Sequence, residues 1–216
     1  MKIITFFSNS HKHLYTKFMN TYPYEEGVDL IIRYVPQECS GNYGEWDKDW
    51  MKTMKRKVRY IIDYLREIKD GELMVHADID VAFYRSFKND LKQLMDQSGN
   101  DIMFQNDGPT LCMGFFVVKK SRITVELFNK VYEKMGGYAH DQEAMNALVG
   151  ASSVKYDRLP PRYYSFGALN GHRRWDLGCK KIIVPEDIVM HHANWTVGTE
   201  NKLELMRRVK HAVDNS

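Results

Sequence analysis

The stretch "ELMVHADIDVAFYRSF", Glu72–Phe87, places two carboxylates, Asp78 and Asp80, directly after an apolar run that is typical of a buried β-strand. In an extended segment, residues i and i+2 point to the same face with their Cα atoms about 6.6 Å apart, so both carboxylates can reach one ligand. Unpaired charges at the end of a buried strand are costly unless a cation or hydrogen bonds meet them. The alternative is that both face solvent, cap backbone groups, or pair with Arg85 and Lys88.

Strands and helices alternate on both sides of this stretch, as the spacing of apolar residues and the turn residues predict. This alternation is typical of a single α/β domain, residues 1–216, with a mainly parallel central sheet flanked by helices. In such sheets ligands bind at the carboxyl edge. The other predicted strands are Lys2–Ser8, Val28–Pro36, Asp101–Gln105, Met113–Lys120, Val154–Leu159 and Lys181–Val184. The predicted helices are Lys12–Asn20, Asp47–Lys69, Lys88–Gln97, Arg122–Met135, one starting near Asp141, and Lys202–Val213, and a polar loop is predicted at Gln37–Trp46.

The composition limits the class of protein. Of the 216 residues, 44% are hydrophobic and 27% are charged, which is enough apolar material for a sizeable core. The formal charge of +3 is too small to predict nucleic-acid binding. No stretch approaches the ~20 apolar residues that cross a bilayer, so no membrane span is expected. Three widely spaced cysteines, Cys39, Cys112 and Cys179, predict no disulfide framework and favour a reducing, cytoplasmic location.

A second polar motif, "VMHHANW" at Val189–Trp195, supplies His191 and His192 after another apolar segment. Two carboxylates and one imidazole suit an ion such as Mn²⁺ better than a purely oxygen-based site would, and they leave positions open for a diphosphate and water. Of two adjacent histidines, at most one is expected to bind metal. The alternatives are therefore a metal site shared by distant loops and a histidine pair buried in the core.

Four motifs follow one another along the chain: "HADIDVAF" (76–83), "DIMFQND" with "LCMGFFVVKKS" (within 101–121), "HDQEAMNAL" (140–148) and "HHANW" (191–195). Together they resemble the nucleotide-diphospho-sugar glycosyltransferases of the GT-A fold, especially the retaining groups with a D-x-D, a later D-Q and a C-terminal histidine. The resemblance covers nearly all of the chain. A narrower resemblance, to glycosyltransferase domains of large chlorella viruses, implies a viral protein of the host cytoplasm and a piece of a longer multidomain chain.

The resemblance implies metal-dependent transfer of a hexose or deoxyhexose from a UDP-sugar to a glycan acceptor, with retention of configuration. Asp80 would be the principal metal carboxylate, and Asp78 would lie near the donor ribose or the metal. His192 would be the third protein ligand, with His191 as the alternate, and the ion would be Mn²⁺ or Mg²⁺. Acting as a Lewis acid, the ion would stabilise the charge on the departing nucleotide.

Other positions match the donor side of the family. Thr5, Phe6 and Ser8 match the edge that binds the nucleoside, where an aromatic ring can stack on uracil. Lys57 matches a basic position that meets a phosphate or a donor hydroxyl. The alternative is that the first three are ordinary strand residues and that Lys57 belongs to a solvated helix face.

Asp141 and Gln142 match the D-Q pair that lies beside the reacting sugar, although Asp141 is also a good helix N-cap. The aromatic and basic loop Arg162–Trp175 would shape the acceptor side. One departure concerns Cys112-Met113-Gly114, where many relatives have Asn-Thr-Gly. Donor-sugar contacts from that Asn and Thr therefore cannot be carried over to this chain.

Two rival functions keep some of these features. A haloacid-dehalogenase-like phosphatase also uses a D-x-D, but there the motif lies near the first strand, whereas here it follows the third. A non-catalytic sugar- or nucleotide-binding module would keep the fold and lose turnover. Metal-dependent hydrolysis of a nucleotide-sugar distinguishes an enzyme from such a module.

Overall fold

A computed structural model describes residues 1–39 and 48–216 as a mixed α/β structure. The strands are β1 (Lys2–Phe7), β2 (Asp29–Tyr34), β3 (Leu73–Ala77), β4 (Val81–Phe83), β5 (Ile102–Asp107), β6 (Thr110–Lys119), β7 (Tyr156–Arg158), β8 (Tyr163–Ser165) and β9 (Met190–His192). The helices are α1 (Lys12–Thr21), α2 (Lys48–Glu67), α3 (Lys88–Ser98), α4 (Arg122–Lys134), α5 (Asp141–Val149), α6 (Phe166–Leu169) and α7 (Thr199–Asp214). Most of the loop predicted at Gln37–Trp46, and the helix start predicted at Asp47, lie outside the described residues.

The central sheet has the strand order β2-β1-β3-β6-β5-β7. Five of the six strands run in one direction, and only β6 is reversed, being antiparallel to both β3 and β5. The reversal follows from the tight connection between β5 and β6, in which Gly108 has φ +72°. A two-residue connection of this kind can join only antiparallel strands. The mainly parallel sheet predicted from the sequence is therefore present, and the β5–β6 turn lies at the same edge as the ends of β1 and β3.

A second, three-stranded sheet has the order β4-β9-β8 and was not predicted. Its register pairs Val81 with His192, and β9 runs parallel to β8. The strand predicted at Lys181–Val184 was wrong, because these residues have no regular structure. Ile182 and Val184 pack against the core, but Pro185 follows and lacks the N–H that a ladder would need there.

Apolar residues pack against both faces of the central sheet. Helices α2, α4 and α5 cover one face, while α1, α3, α7 and the small sheet cover the other. The long helix α2 exists because its apolar residues recur every three or four positions and share one face. Within residues 1–39 and 48–216, no helix combines the length and apolar character that crossing a bilayer requires. The members of the buried α2 face are Met54, Val58, Ile61, Ile62 and Leu65.

Candidate active site

The two carboxylates of the D-x-D lie in a turn between the two sheets. Strand β3 ends at Ala77, the Asp78 N–H donates to the Gly114 carbonyl at 2.6 Å, and the Val81 N–H donates to the Asp78 carbonyl at 3.3 Å. The prediction that strand alternation aligns the carboxylates was therefore wrong. A turn brings them together instead, because the chain must leave the central sheet there to enter the small one.

Asp78, Asp80 and His192 offer ligand atoms that all lie within 4.8 Å of one another. The pairing of β4 with β9 sets this arrangement, since Val81 stands opposite His192. His192 Nε2 lies 3.3 Å from Asp80 Oδ1, and His192 Nδ1 lies 2.9 Å from the side-chain oxygen of Gln105. That oxygen can only accept, so Nδ1 carries a proton and Nε2 is directed at the carboxylates.

Gly114 makes room for this group. A Cβ at this position would lie 2.1 Å from His192 Cε1 and 2.7 Å from Asp78 Oδ2. Any other residue would therefore push the imidazole and the carboxylate apart. The sequence drew attention to this glycine only as part of an altered motif, and the close approach explains why a glycine stands there.

Each carboxylate of the D-x-D also meets a buried lysine. Lys57 Nζ, from α2, lies 2.9 Å from Asp78 Oδ1 and 3.3 Å from Asp141 Oδ2. Lys202, in the first turn of α7, contacts Asp80 and donates to the Ala193 carbonyl at 2.8 Å. Neither carboxylate pairs with Arg85 or Lys88, and Lys57 is buried rather than on a solvated helix face.

These contacts govern the charges of the group. Burial raises the pKa of Asp78, but Lys57 and a hydrogen bond from His76 outweigh burial and lower the pKa to about 2. Burial likewise opposes ionisation of Asp80, and Lys202 and His192 hold its pKa well below the usual range. Burial lowers the pKa of His192, whereas Asp80 and Cys112 raise it, to about 10. Both carboxylates are ionised at neutral pH, as metal ligands must be, whereas His192 is protonated without a metal and would have to lose its Nε2 proton to bind one.

A further carboxylate, Asp107 at the end of β5, joins several parts of the site. It accepts hydrogen bonds from Trp195 Nε1 at 2.7 Å, from Asn194 Nδ2 at 2.6 Å and from Gln142 Nε2 at 2.8 Å. The side-chain oxygen of Gln142 accepts from the Met113 N–H at 3.1 Å. Asp107 thus fixes the indole of Trp195 and the amide of Gln142 against the β5–β6 turn.

A cleft of about 380 Å³ opens above these residues. Its volume falls within the roughly 300–1,000 Å³ of small-molecule sites. Asp141 is the first residue of α5 and not its N-cap, which is His140. The predicted site residues that line the cleft are Phe6, Ser8, Lys57, Asp78, Asp80, Asp141, Gln142 and His192.

Two predicted residues lie elsewhere. Thr5 does not line the cleft but faces a separate small pocket that Lys57 and His76 also border. His191 is fully buried on the other face of β9, 5.3 Å from the Tyr164 ring, and its ring nitrogens have no hydrogen-bond partner in the described chain. Burial lowers the pKa of His191 to about 3. Of the adjacent histidines, only His192 therefore reaches the carboxylates.

The sequence did not reveal four residues that support the site: His76, Gln105, Asp107 and Lys202. The sequence did contain a signal for Gln105 and Asp107. They lie two positions apart at the carboxyl end of a strand, so their side chains share one face of the sheet. His76 stands two positions before Asp78 and contacts its Oδ1 at 2.9 Å. Nothing local marks Lys202, because its partner Asp80 is far away in the sequence.

The chain shares its fold with solved glycosyltransferases. A glycosyltransferase involved in the glycosylation of the major capsid of PBCV-1 superimposes with a TM-score of 0.65 at 14% identity, over 95% of this chain and 98% of that one. The galactosyltransferase LgtC gives 0.56 at 13% identity, with 95% of each chain covered. GlyE of Streptococcus pneumoniae gives 0.56 at 10% identity, over 88% of this chain and 53% of that one. At these identities the likeness is one of fold, the GT-A fold.

The family follows from the sequence of the whole region. A profile described as nucleotide-diphospho-sugar transferase matches residues 24–206, and the chain belongs to this family. An uncharacterized protein of Arabidopsis thaliana is 30% identical over 109 residues, which are 50% of this chain and 30% of that protein. The chain thus matches less than a third of the length of this curated relative.

Proposed function

We propose that the chain transfers a hexose or deoxyhexose from a UDP-sugar to a glycan acceptor, with the help of a divalent cation. The observation that carries the proposal is the convergence of Asp78, Asp80 and His192 in the cleft of a nucleotide-diphospho-sugar transferase. The neighbour LgtC is a galactosyltransferase that was crystallised with donor and acceptor sugar analogues, which supports a hexose donor. We also propose that residues 1–216 form one domain. Viral origin and cytoplasmic location stay predictions.

The donor set fits a divalent cation. Asp78, Asp80 and His192 supply oxygen and nitrogen atoms of the kind that Mn²⁺ accepts, and Mg²⁺ is the alternative. Gln105 fixes the tautomer of His192, as partners of metal-binding histidines do. When bound, the ion would act as a Lewis acid on the diphosphate of the donor.

The residues of the chain would divide the other tasks along the cleft. Phe6 and Ser8, at the end of β1, would hold the nucleoside by stacking and hydrogen bonding. Burial lowers the pKa of Lys57, but the nearby carboxylates of Asp141 and Asp78 raise it by more than burial lowers it, so the side chain stays cationic. It can therefore meet a phosphate or a donor hydroxyl. Asp141, beside Lys57, would orient a hydroxyl of the donor sugar.

Retention of configuration rests on the D-Q pair. Gln142 lines the cleft, and its hydrogen bonds to Asp107 and to the Met113 N–H fix the amide in place. We propose that this fixed amide lies beside the anomeric carbon of the donor sugar. Proton NMR of the glycoside that transfer forms would identify the configuration at its new anomeric carbon. A configuration opposite to that of the donor would contradict retention.

A screen of nucleotide-sugars tests the function directly. The protein is incubated with each donor, with and without Mn²⁺, and free nucleotide is measured. We expect Mn²⁺-dependent release of UDP from one or a few UDP-sugars, and no turnover of an aryl phosphate. Release of no nucleotide from any donor, with UDP still bound, would favour the non-catalytic module.

The metal group is tested by Asp80→Ala, which should abolish Mn²⁺-dependent UDP binding in calorimetry. Asp96→Ala is the matched control, because Asp96 is an exposed carboxylate on α3 and should leave binding unchanged. Unchanged binding and an unchanged metal requirement in Asp80→Ala would contradict the metal assignment.

A further inference from the structure

Two adjacent arginines, Arg173 and Arg174, follow α6 in a loop that is fixed before and after them. Directly before the arginine pair, the backbone N–H of His172 donates to the Gly167 carbonyl at 2.8 Å. The His172 ring rests on Gly108 of the β5–β6 turn, where a Cβ would lie 2.5 Å from the ring. His172 has φ +54°, a left-handed conformation that costs a non-glycine residue energy. The loop therefore enters the arginine pair in one defined direction.

On the far side, Trp175 anchors the loop. Trp175 is 2% exposed, and its backbone N–H donates to the Trp195 carbonyl at 2.6 Å. The guanidinium of Arg208, on α7, lies over the Trp175 ring, 5.3 Å from its centroid. Trp195 in turn packs directly on Gly167, where a Cβ would lie 2.0 Å from the indole. The backbone of the arginine pair is thus held between two anchors, so that binding of an anion would have to order only the side chains.

Arg174 lines the cleft, and its loop neighbour His172 lies against Gly108 of the β5–β6 turn. Along the carboxyl edge of the sheet, the end of β1 comes first, then the D-x-D after β3, then the β5–β6 turn with Asp107. Trp195 bonds to Asp107 and shares the cleft with Arg174. The donor diphosphate is proposed at the D-x-D, so Arg174 and Trp195 lie on the side from which an acceptor would enter.

The loop carries an excess of positive charge. Arg173, Arg174, Lys180 and Lys181 are all exposed, against one acidic residue, Asp176, between them. None of the four forms an ion pair with residues 1–39 or 48–216. Arginine forms paired, charge-assisted hydrogen bonds with carboxylates and phosphates. The surface beside the acceptor end therefore attracts and can bind an anionic group.

We infer that the acceptor is an acidic saccharide, whose carboxylate or phosphate binds Arg174 while its sugar ring packs on Trp195. This inference rests on the proposed transferase function. The donor diphosphate is the other possible source of an anion at Arg174, and the experiment separates the two sources.

Binding of three probes is measured by saturation-transfer NMR in the presence of UDP and Mn²⁺: methyl β-D-glucuronide, glucose 6-phosphate and methyl β-D-glucoside. The wild type should bind at least one acidic probe about tenfold more tightly than the neutral glucoside, as one charge-assisted contact allows. Arg174→Gln should remove this preference and leave glucoside binding unchanged. Arg174→Lys keeps the charge without the planar fork and should retain part of it.

Lys130→Gln is the control, because Lys130 is an exposed cation on α4 that neither belongs to this loop nor lines the cleft. It should leave all three affinities unchanged, and thermal unfolding should show that every variant is folded. Equal binding of acidic and neutral probes by the wild type would overturn the inference. So would an Arg174→Gln variant that binds UDP more weakly and the acidic probes normally, since Arg174 would then serve the donor.

The two proposals can fail separately. An Arg174-dependent preference for acidic probes, in a protein that transfers no sugar, would overturn the transferase function and support the anion site. Transfer to neutral acceptors only, at a rate that Arg174→Gln does not change, would overturn the anion site and support the transferase function.

Discussion

At the scale of single residues, the site depends on Gly114, which carries no side chain. Gly114 has no Cβ, and this leaves room for the imidazole of His192 and the carboxylate of Asp78 next to its backbone. The three side chains that converge there are therefore positioned by a backbone approach as well as by their own hydrogen bonds.

Gly114→Ala should weaken Mn²⁺ binding by about 10–100-fold, as displacement of a supporting group commonly does at metal sites. The added methyl group must push away His192 Cε1, whose neighbouring ring nitrogens contact Gln105 and Asp80. Calorimetry of Mn²⁺ binding measures the effect. Gly136→Ala is the control, because a Cβ there meets no atom within 4 Å, and equal affinities in the two variants would contradict the prediction.

Residue chemistry allowed part of this site to be predicted. Carboxylate and imidazole side chains at the ends of apolar segments indicated the metal group, and the structure brings Asp78, Asp80 and His192 together. The choice between His191 and His192 could not be settled locally, since adjacent strand residues face opposite sides and the sequence does not say which side is the core. The register with Val81 decides it.

At the scale of elements, α2 contributes a buried cation to the cleft. Lys57 lies between two carboxylates, one from the turn after β3 and one from the first residue of α5. Three separate elements therefore meet at one ammonium group, and its removal leaves two acidic groups facing each other. Breaking a buried charge pair in this way costs about 3–5 kcal/mol of unfolding free energy.

Lys57→Met should raise the pH at which the protein unfolds in acid. The pKa of Asp78 lies below its ordinary value, so this carboxylate stabilises the fold above about pH 4, and the stabilisation is lost as the pH falls toward about 2. Without Lys57 the pKa of Asp78 rises, and the loss begins at higher pH. Circular dichroism across an acid titration measures the midpoint.

Lys52→Met provides the control for this titration. Lys52 forms an exposed ion pair with Asp49 on the same helix, and exposed pairs contribute little. Its acid midpoint should match that of the wild type. A Lys57→Met midpoint that also matches the wild type would show that Lys57 does not set the charge of Asp78.

Helix α7 contributes the second cation. Lys202→Met should destabilise the protein, because among the described residues Asp80 then keeps one ion-pair partner, His192. Added Mn²⁺ should restore part of the loss by supplying charge to the same carboxylate. Mn²⁺ should therefore raise the thermal midpoint of Lys202→Met more than that of the wild type. Lys210→Met, which removes an exposed pair with Asp214 on the same helix, should respond as the wild type does. Equal responses in all three proteins would refute the idea.

Elements with strong periodicity were predictable, and short ones were not. Helices α2 and α4 lie within a few residues of their predicted bounds, because ten or more patterned residues carry a clear signal. The strands of the central sheet also lie near their predicted bounds, because turn residues flank their runs of β-branched and aromatic residues. Strands β4, β8 and β9 have three residues each, which is too few for a period, and they exist only because they pair with one another. The missed strands are the ones that align the D-x-D with His192.

At the scale of the whole molecule, metal and nucleotide should stabilise the fold together. A ligand at 100 times its Kd adds about 2.7 kcal/mol to the unfolding free energy, which raises Tm by about 5–10 °C in a chain of this length. UDP with Mn²⁺ should give a shift of this size. A chelator should remove it, because the diphosphate would then face two carboxylates without a cation.

Differential scanning calorimetry measures these shifts, with Asp80→Asn as the control that retains the shape of the side chain. The variant should show no shift with UDP and Mn²⁺. A full shift with UDP in the presence of the chelator would contradict a metal-dependent donor site.

The pairing of β4 with β9 joins the middle of the chain to its last quarter. During synthesis the D-x-D leaves the ribosome long before His192 does, at the usual 5–20 residues per second. A nascent chain therefore holds two of the three proposed metal ligands, and its carboxylates lack both the imidazole and Lys202 until β9 and α7 have emerged. If the group binds an ion as proposed, competence to bind it should thus arise late and abruptly, and a polypeptide that lacks β9 and α7 should not bind the ion.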